Sequence, residues 1–269
     1  MENKTCLVIY IGNGYSEGEP SYYQSYIYSV DMRDNQKNHE ENIYKPLREL
    51  GYTVDTTLIT NKHKRYDEFV EHYNAIRLDY TDFTPEHFDI LEKFYRYKIN
   101  YQGWGPGSYI SGGRLLNLHE ELPEYDIYVF VRADTNFKQS LSDLNVDYNK
   151  INYLWRETDY RFFHEPENPE IAEITIDWPW NTYRRINGNV LNVVNKKYIN
   201  IFKSHYWLEH ISLYVMLKDF SPLITYENDI NLMCGEDVFH TSAPEFYINP
   251  VYTFNKKIIS SKDKNFKYN

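Results

Sequence analysis

Tyr125-Asp126-Ile127-Tyr128-Val129-Phe130-Val131-Arg132-Ala133-Asp134-Thr135-Asn136-Phe137 is the stretch from which the fold is read. It follows Pro123 and opens as a run of β-branched and aromatic residues, the composition of a short strand buried on both faces. Arg132 and Asp134 emerge together where that run ends. In open α/β sheets ligands bind outside the carboxyl ends of the strands. A charged pair there is either a solvated turn or part of a site.

Working outward, Thr5-Cys6-Leu7-Val8-Ile9-Tyr10-Ile11 reads as a buried first strand ending in Gly12-Asn13-Gly14. A helix is expected over Asn38–Leu50, with Ile43, Leu47 and Leu50 on one face and Gly51 as its stop. Tyr52–Thr60 supplies the next strand. Strand, helix and strand in that order make a βαβ unit and hence a parallel sheet. A strand followed by G-x-G also suggests a dinucleotide or S-adenosylmethionine fingerprint, but that motif needs a helix to start at the glycines. Here the helical pattern begins only near Asn38, and no acidic residue ends the second strand. The glycines therefore read as a turn, or as a place where backbone approaches a nucleotide.

Further helices are expected after Tyr66, after the Thr84-Pro85 start and over Ser108–Glu121, the last carrying Arg114. Strand-like segments follow at Ile151–Trp155, Ile174–Trp180 and Asn189–Val194, then a helical run over Asn195–Lys218. Arg156–Glu170 holds Pro166 and Pro169 and reads as a loop. The basic end from Lys256 reads as a loose tail.

With 269 residues, 42% apolar and 25% charged, the chain is globular and long enough for a sizeable core. Its 28 Tyr, 14 Phe and 5 Trp suit both core packing and stacking on sugars or bases, so aromatic content does not choose a function. A formal charge of −10 argues against a nonspecific nucleic-acid binder. Cys6 and Cys234 cannot build a disulfide framework, and no Cys/His spacing suggests zinc. No signal peptide or membrane-spanning run is read, so a soluble, cytoplasmic protein is the expectation.

The order of features resembles the nucleotide-sugar-dependent glycosyltransferases of the GT-A type. It is most similar to small enzymes encoded by large DNA viruses, of the chlorovirus capsid-glycan kind, and to some capsular-polysaccharide transferases. The residues that carry the resemblance are Ile11-Gly12-Asn13, the strand from Gly51 to Thr60, Tyr125-Asp126 with Arg132-Ala133-Asp134, Arg185-Ile186-Asn187 and Glu209-His210. The resemblance implies a GT-A-like, Rossmann-type single α/β domain with a mostly parallel central sheet flanked by helices. Residues 1–137 would form its nucleotide-sugar half, 138–255 its acceptor half and 256–269 its basic tail. The implied partners are a UDP-sugar donor, with xylose favoured, and an oligosaccharide or glycoprotein acceptor such as a viral capsid glycan.

On the same resemblance, Gly12, Asn13, Thr60, Arg114, Arg132 and Asp134 are donor-binding candidates. An acidic motif in these enzymes holds Mn²⁺ or Mg²⁺ on the donor diphosphate, offsetting charge on the leaving group. The usual Asp-x-Asp reads Arg132-Ala133-Asp134 here. Two alternatives stand: Asp134 holds the metal, with His240 as a further ligand, or Arg132 meets the diphosphate directly. Inverting transfer needs a general base, for which Asp177, Glu236, Asp237 and Asp79 are the candidates. Trp178, Trp180 and Arg185 are acceptor-binding candidates. Two other classes remain in view, an S-adenosylmethionine-dependent methyltransferase and a noncatalytic carbohydrate-binding protein.

Overall fold

A computed structural model describes residues 4–12, 14–20, 26–60, 64–78, 122–154, 156–158, 184–186, 190–200, 202, 226–234, 251–254 and 257–261. Strand β1 (Lys4–Gly12) lies between β4 (Tyr52–Thr60) and β5 (Ile127–Arg132) and is parallel to both. Beyond β5 the sheet continues with β10 (Leu191–Asn195), β7 (Ile151–Tyr153) and β11 (Ile230–Leu232). The order across its six strands is β11-β7-β10-β5-β1-β4. Only β10 runs against its neighbours; β7 and β11 are parallel to each other. The chain is thus α/β with a mostly parallel central sheet, as expected.

Alternation along the strands divides the core in two. Cys6, Val8 and Tyr10 share one cluster with Ile127, Val129 and Val131, while Leu7, Ile9 and Ile11 share the other with Tyr128 and Phe130. Every residue from Ile127 to Val131 is no more than 1% exposed, so β5 is sealed on both faces. Burying such side chains contributes about 1.5–3 kcal/mol each. That accounts for the unbroken apolar run in the sequence.

A helical run over 32–49 covers the first face with Met32, Ile43, Tyr44 and Leu47. It starts earlier than the apolar stripe predicts, because the Asp31 carboxylate accepts from the Arg33 N–H and caps it at Met32. Pro46 has no N–H to continue the ladder, and a wide π turn, Glu40–Tyr44, precedes it. Gly51, at φ +85°, ends the run as expected. Helix Tyr66–His72 adds Tyr66, Phe69 and Val70 to the same face.

The glycines after β1 lead into no helix. The chain enters β2 (Tyr15–Pro20), which pairs antiparallel with β3 (Tyr26–Asp31). The helix N-terminus on which a dinucleotide or S-adenosylmethionine fingerprint depends is therefore missing at this turn. Gly12 has φ +97°, and a Cβ on Gly14 would stand 2.8 Å from the Met32 sulfur. Turning and close packing explain both glycines.

Two segments expected to be irregular are strands. Arg156–Thr158, inside the expected loop, forms β8 against β9 (Arg184–Ile186). Lys257–Ser261, inside the expected loose tail, forms β13 on the open edge of β3. In both, the backbone partner is remote in sequence, and local composition carries no trace of it. The small strands β6 (Thr135–Phe137) and β12 (Tyr252–Phe254) also pair, antiparallel. Among the described residues no helix is long and apolar enough to cross a membrane.

Phe130 packs on Phe202 at 4.7 Å between ring centroids. Phe130→Ala is expected to remove about 3–5 kcal/mol of stability. The measurement is a urea titration, in which the midpoint falls and the slope stays unchanged.

Candidate functional site

Both ends of β5 are tied down. At its start, the Asp126 carboxylate accepts from the Thr5 backbone N–H at 2.9 Å and from Lys196 Nζ at 3.0 Å, and the Thr5 contact leads in holding its pKa below the usual carboxylate value. Tyr125 donates its hydroxyl to Asp55 at 2.8 Å. The Tyr-Asp half of the resemblance motif is therefore structural, at the end of the sheet away from the strands' carboxyl termini. The other half lies at the opposite end.

There, the last residues of three strands stand side by side. Gly12 is in register with Thr60, and Ile11 with Arg132. Beyond β5 the Ala133 N–H donates to the Ile11 carbonyl at 2.9 Å. Arg132 turns back on Asp134 in a two-point ion pair, Nε to Oδ1 at 2.6 Å and Nη2 to Oδ2 at 3.1 Å. Burial separates the partners: the Asp134 side chain is 1% exposed and that of Arg132 31%. The carboxylate is the inner member and the guanidinium the outer.

Four side chains that the sequence reading missed hold this loop. Asn35, Asn38, His39 and Asn42 occupy one face of the helical run over 32–49. Asn35 Nδ2 donates to the Ala133 carbonyl at 2.9 Å. Asn38 behaves as a strand would, donating to the Phe137 carbonyl and accepting from the Phe137 N–H, both at 2.7 Å. Asn42 Nδ2 also reaches the Phe137 carbonyl, at 3.3 Å. His39 Nε2 lies 2.7 Å from the Thr135 carbonyl, which can only accept, so the ring nitrogen carries the proton. Polar residues at i, i+3, i+4 and i+7 were the available signal, easily masked by the apolar stripe beside them.

His39 is fully buried and stacks on Tyr10 with ring centroids 5.0 Å apart. Burial, opposed by the hydrogen bond to Thr135, pushes its pKa down to about 4. The imidazole is neutral at neutral pH and acts as a fixed donor.

The structure brings together Gly12, Thr60, Arg132 and Asp134 of the predicted donor set. Thr60 lies wholly buried, its methyl group 3.1 Å from where a Cβ on Gly14 would stand, so it supports the turn from below. Arg185 is placed in β9. Asn13, Asp79, Arg114, Asp177, Trp178, Trp180, Glu236, Asp237 and His240 lie outside the described residues. The backbone does reach Cys234 along β7, through the Cys234 N–H to the Leu154 carbonyl at 2.9 Å. Because β7 and β11 run the same way as β5, this is the Arg132 end of the sheet.

A crevice of about 210 Å³ opens at the same end, beyond β1 and β4. Tyr15, Glu17, Asp31, Asp34 and Arg65 are among its lining residues, and the Arg65 guanidinium sits 5.2 Å from the Tyr15 ring centre. A larger cavity, about 410 Å³, lies at the far end of the sheet beside Tyr52 and Tyr148, away from the charged pair.

A divalent cation, which the resemblance implies, can be tested against these residues. A single carboxylate can suffice for Mg²⁺ when phosphates complete the shell. Asp134, however, is buried with both oxygens on Arg132. Among the described residues no three His, Cys, Asp or Glu side chains converge on a metal position. His240, the other expected ligand, lies outside the described residues.

No protein-family model matches the chain, and no curated protein matches it in sequence. Among solved structures it is similar to the galactosyltransferase LgtC in complex with donor and acceptor sugar analogues. That match has a TM-score of 0.37 and 13% identity and covers 82% of this chain and 66% of that one. An active-site mutant of LgtC gives 0.38, 14%, 82% and 66%. Mouse xyloside xylosyltransferase 1 in its apo form gives 0.36, 12%, 85% and 84%. The chain thus spans just under two thirds of the LgtC chains it matches. Overlap this slight assigns no activity.

The buried imidazole generates a pH prediction. An unfolded histidine titrates near 6.5, and the native value of His39 is about 4. Between those values the unfolded chain takes up a proton that the native one refuses, so stability falls as pH drops from about 6.5 to about 4. Above that window His39 is neutral in both states and contributes no slope. Integrated over the window, the loss is up to about 3 kcal/mol. Urea titrations of wild type and His39→Gln between pH 7 and 4 are expected to diverge by that order, the variant showing the flatter dependence.

Proposed function

We propose that the protein is a GT-A-type glycosyltransferase that moves a sugar from a nucleotide-activated donor to a glycan acceptor. The observation that carries the reading is the placement of Arg132-Ala133-Asp134. It stands at the carboxyl end of β5, beside the ends of parallel strands β1 and β4, where open α/β sheets bind ligands. This is the position at which the sequence motif resembles the donor-diphosphate strand of that family.

The crevice lined by Tyr15 and Arg65 is the proposed place for the nucleoside. Tyr15 gives it an aromatic edge, while its Asp31 carboxylate is held by Arg33 and its Glu17 carboxylate by Lys64. In the reaction an acceptor hydroxyl attacks the anomeric carbon of the donor. The new glycosidic bond forms as the bond to the diphosphate oxygen breaks, and the hydroxyl proton passes to a general base. The nucleoside diphosphate leaves with the bonding electrons. UDP-sugars are the favoured donors and xylose the favoured sugar, on resemblance. A glycan or glycoprotein is the acceptor, of the viral capsid type where the viral resemblance holds.

Inversion is the proposed stereochemistry, with the base drawn from Asp177, Glu236, Asp237 and Asp79. Trp178, Trp180 and Arg185 are proposed to bind acceptor, Asn13 and Arg114 to assist the donor, and His240 to join Asp134 as a ligand of a divalent cation, Mn²⁺ or Mg²⁺. The chain is read as one domain.

A thermal-shift panel with UDP, GDP, CMP, their sugars and S-adenosylhomocysteine tests the reading. UDP and UDP-sugars are expected to raise the melting temperature, and glycan acceptors to accelerate donor turnover. Stabilisation by S-adenosylhomocysteine alone would sink the proposal, and glycan binding without nucleotide binding would favour the noncatalytic class. Replacing the true base by its amide is expected to cut kcat by about 10²–10⁴-fold with little change in donor affinity.

A further inference from the structure

We infer that the cavity at the amino-terminal end of the central sheet is a separate ligand site, and that its ligand is an acidic saccharide, a sugar bearing a carboxylate. The inference is independent of the glycosyltransferase reading, which concerns the opposite end. Lys4 and Tyr52, the first residues of β1 and β4, stand in register and line the cavity, while Gly12 and Thr60 close the same two strands. The nine residues of β1 put about 26 Å between the two places. At about 410 Å³ the cavity falls among small-molecule sites, which run from about 300 to about 1,000 Å³.

Its polar lining divides into a frame and a remainder. The Asp126 carboxylate accepts from the Thr5 N–H at 2.9 Å, from the Thr5 hydroxyl at 3.2 Å and from Lys196 Nζ at 3.0 Å. Asn195 Nδ2 donates to the Tyr148 carbonyl at 2.8 Å, and its Oδ1 accepts from the Lys197 N–H at 3.1 Å. These contacts fix the wall. The Tyr52 and Tyr148 rings, the Lys4 ammonium and the Asn149 side chain take no part in them and line the same space.

The remainder sets the class of ligand. The two tyrosine rings lie 6.0 Å apart between centroids, with their planes 36° apart. A flat base can lie parallel to only one of them. A puckered sugar, apolar on its C–H face and polar around its rim, can rest on both while its hydroxyls meet the phenols and the Asn149 amide. Burial pushes the pKa of Tyr148 up to about 12 and raises that of Tyr52, so both phenols remain donors at neutral pH. Leu50, left 45% exposed, adds an apolar edge. Charge then selects an acidic sugar. Of the charged lining residues, Asp126 and Lys196 offset each other. Lys4, with Nζ 5.4 Å from the Tyr52 ring centre, leaves the cavity net positive in a chain of net charge −10. A carboxylate on a sugar stacked at Tyr52 gains that ammonium as its partner.

The experiment is an NMR titration of the ¹⁵N-labelled full chain with a glucuronate-containing disaccharide, with lactose and UMP as comparisons. The acidic disaccharide is expected to shift the backbone amide resonances of Lys4, Tyr148 and Asn149 and to leave those of Thr60 and Arg132 in place. Lactose is expected to bind there about fivefold more weakly, the scale of one exposed ion pair. Lys4→Glu, a change at an exposed side chain, is expected to bring the acidic sugar down to the level of lactose or below with the melting temperature unchanged. Tyr148→Ala is expected to weaken both sugars about tenfold, and Tyr148→Phe, which keeps the ring, to stay within about threefold of wild type. The Lys4→Glu arm decides the matter even where Tyr148→Ala lowers the melting temperature. Shifts confined to the Arg132 end, or none with either sugar, overturn the inference. Equal affinity for lactose, undiminished binding by Lys4→Glu, or UMP as the tighter ligand at these residues overturns it too. The glycosyltransferase reading survives each of these results, because donor binding is followed separately at Thr60 and Arg132.

Discussion

The candidate site depends on a helix face doing the work of a strand. Past Arg132 the chain leaves the central sheet, and its backbone groups need partners because this region is buried. Asn35, Asn38 and His39 supply them, meeting the carbonyls of Ala133, Phe137 and Thr135 in turn. An unsatisfied buried group costs about 1–3 kcal/mol. With several such groups along one short loop, the helix and the loop form a single unit. The ion pair between Arg132 and Asp134 takes its shape from that unit.

Hydrophobic burial sets the other half of the frame. β5 lies between β1 and β10 with both faces covered, so slippage would move apolar side chains across the sheet. Asp126 fixes its start through Thr5 and Lys196. A strand held at one end by a charged anchor and at the other by amide side chains can present a charged pair at its tip with little freedom. The rigid elements hold the geometry of that tip.

Charges at that end of the sheet are paired in two places. In the crevice beyond β1 and β4 Asp31 is paired with Arg33 and Glu17 with Lys64, while at the tip of β5 Asp134 is paired with Arg132.

The sequence by itself determined the elements whose signals are local. β4 was read at Tyr52–Thr60 and found there, and the β1, helix, β4 order predicted the parallel pairing that is observed. The location of the candidate site was legible for the same reason, since a buried apolar run ending in Arg-x-Asp marks a strand terminus. What tertiary structure alone decided were relations between distant residues. Asn38 meets Phe137, β13 pairs with β3, β8 pairs with β9, and Asp134 lies beneath Arg132. Composition reports how a residue behaves along its own strand or helix, and side-chain hydrogen bonds across the fold leave no period in the chain. That is why Arg132-Ala133-Asp134 was found in the sequence as a place, and why only the folded protein shows which of its two charges faces outward.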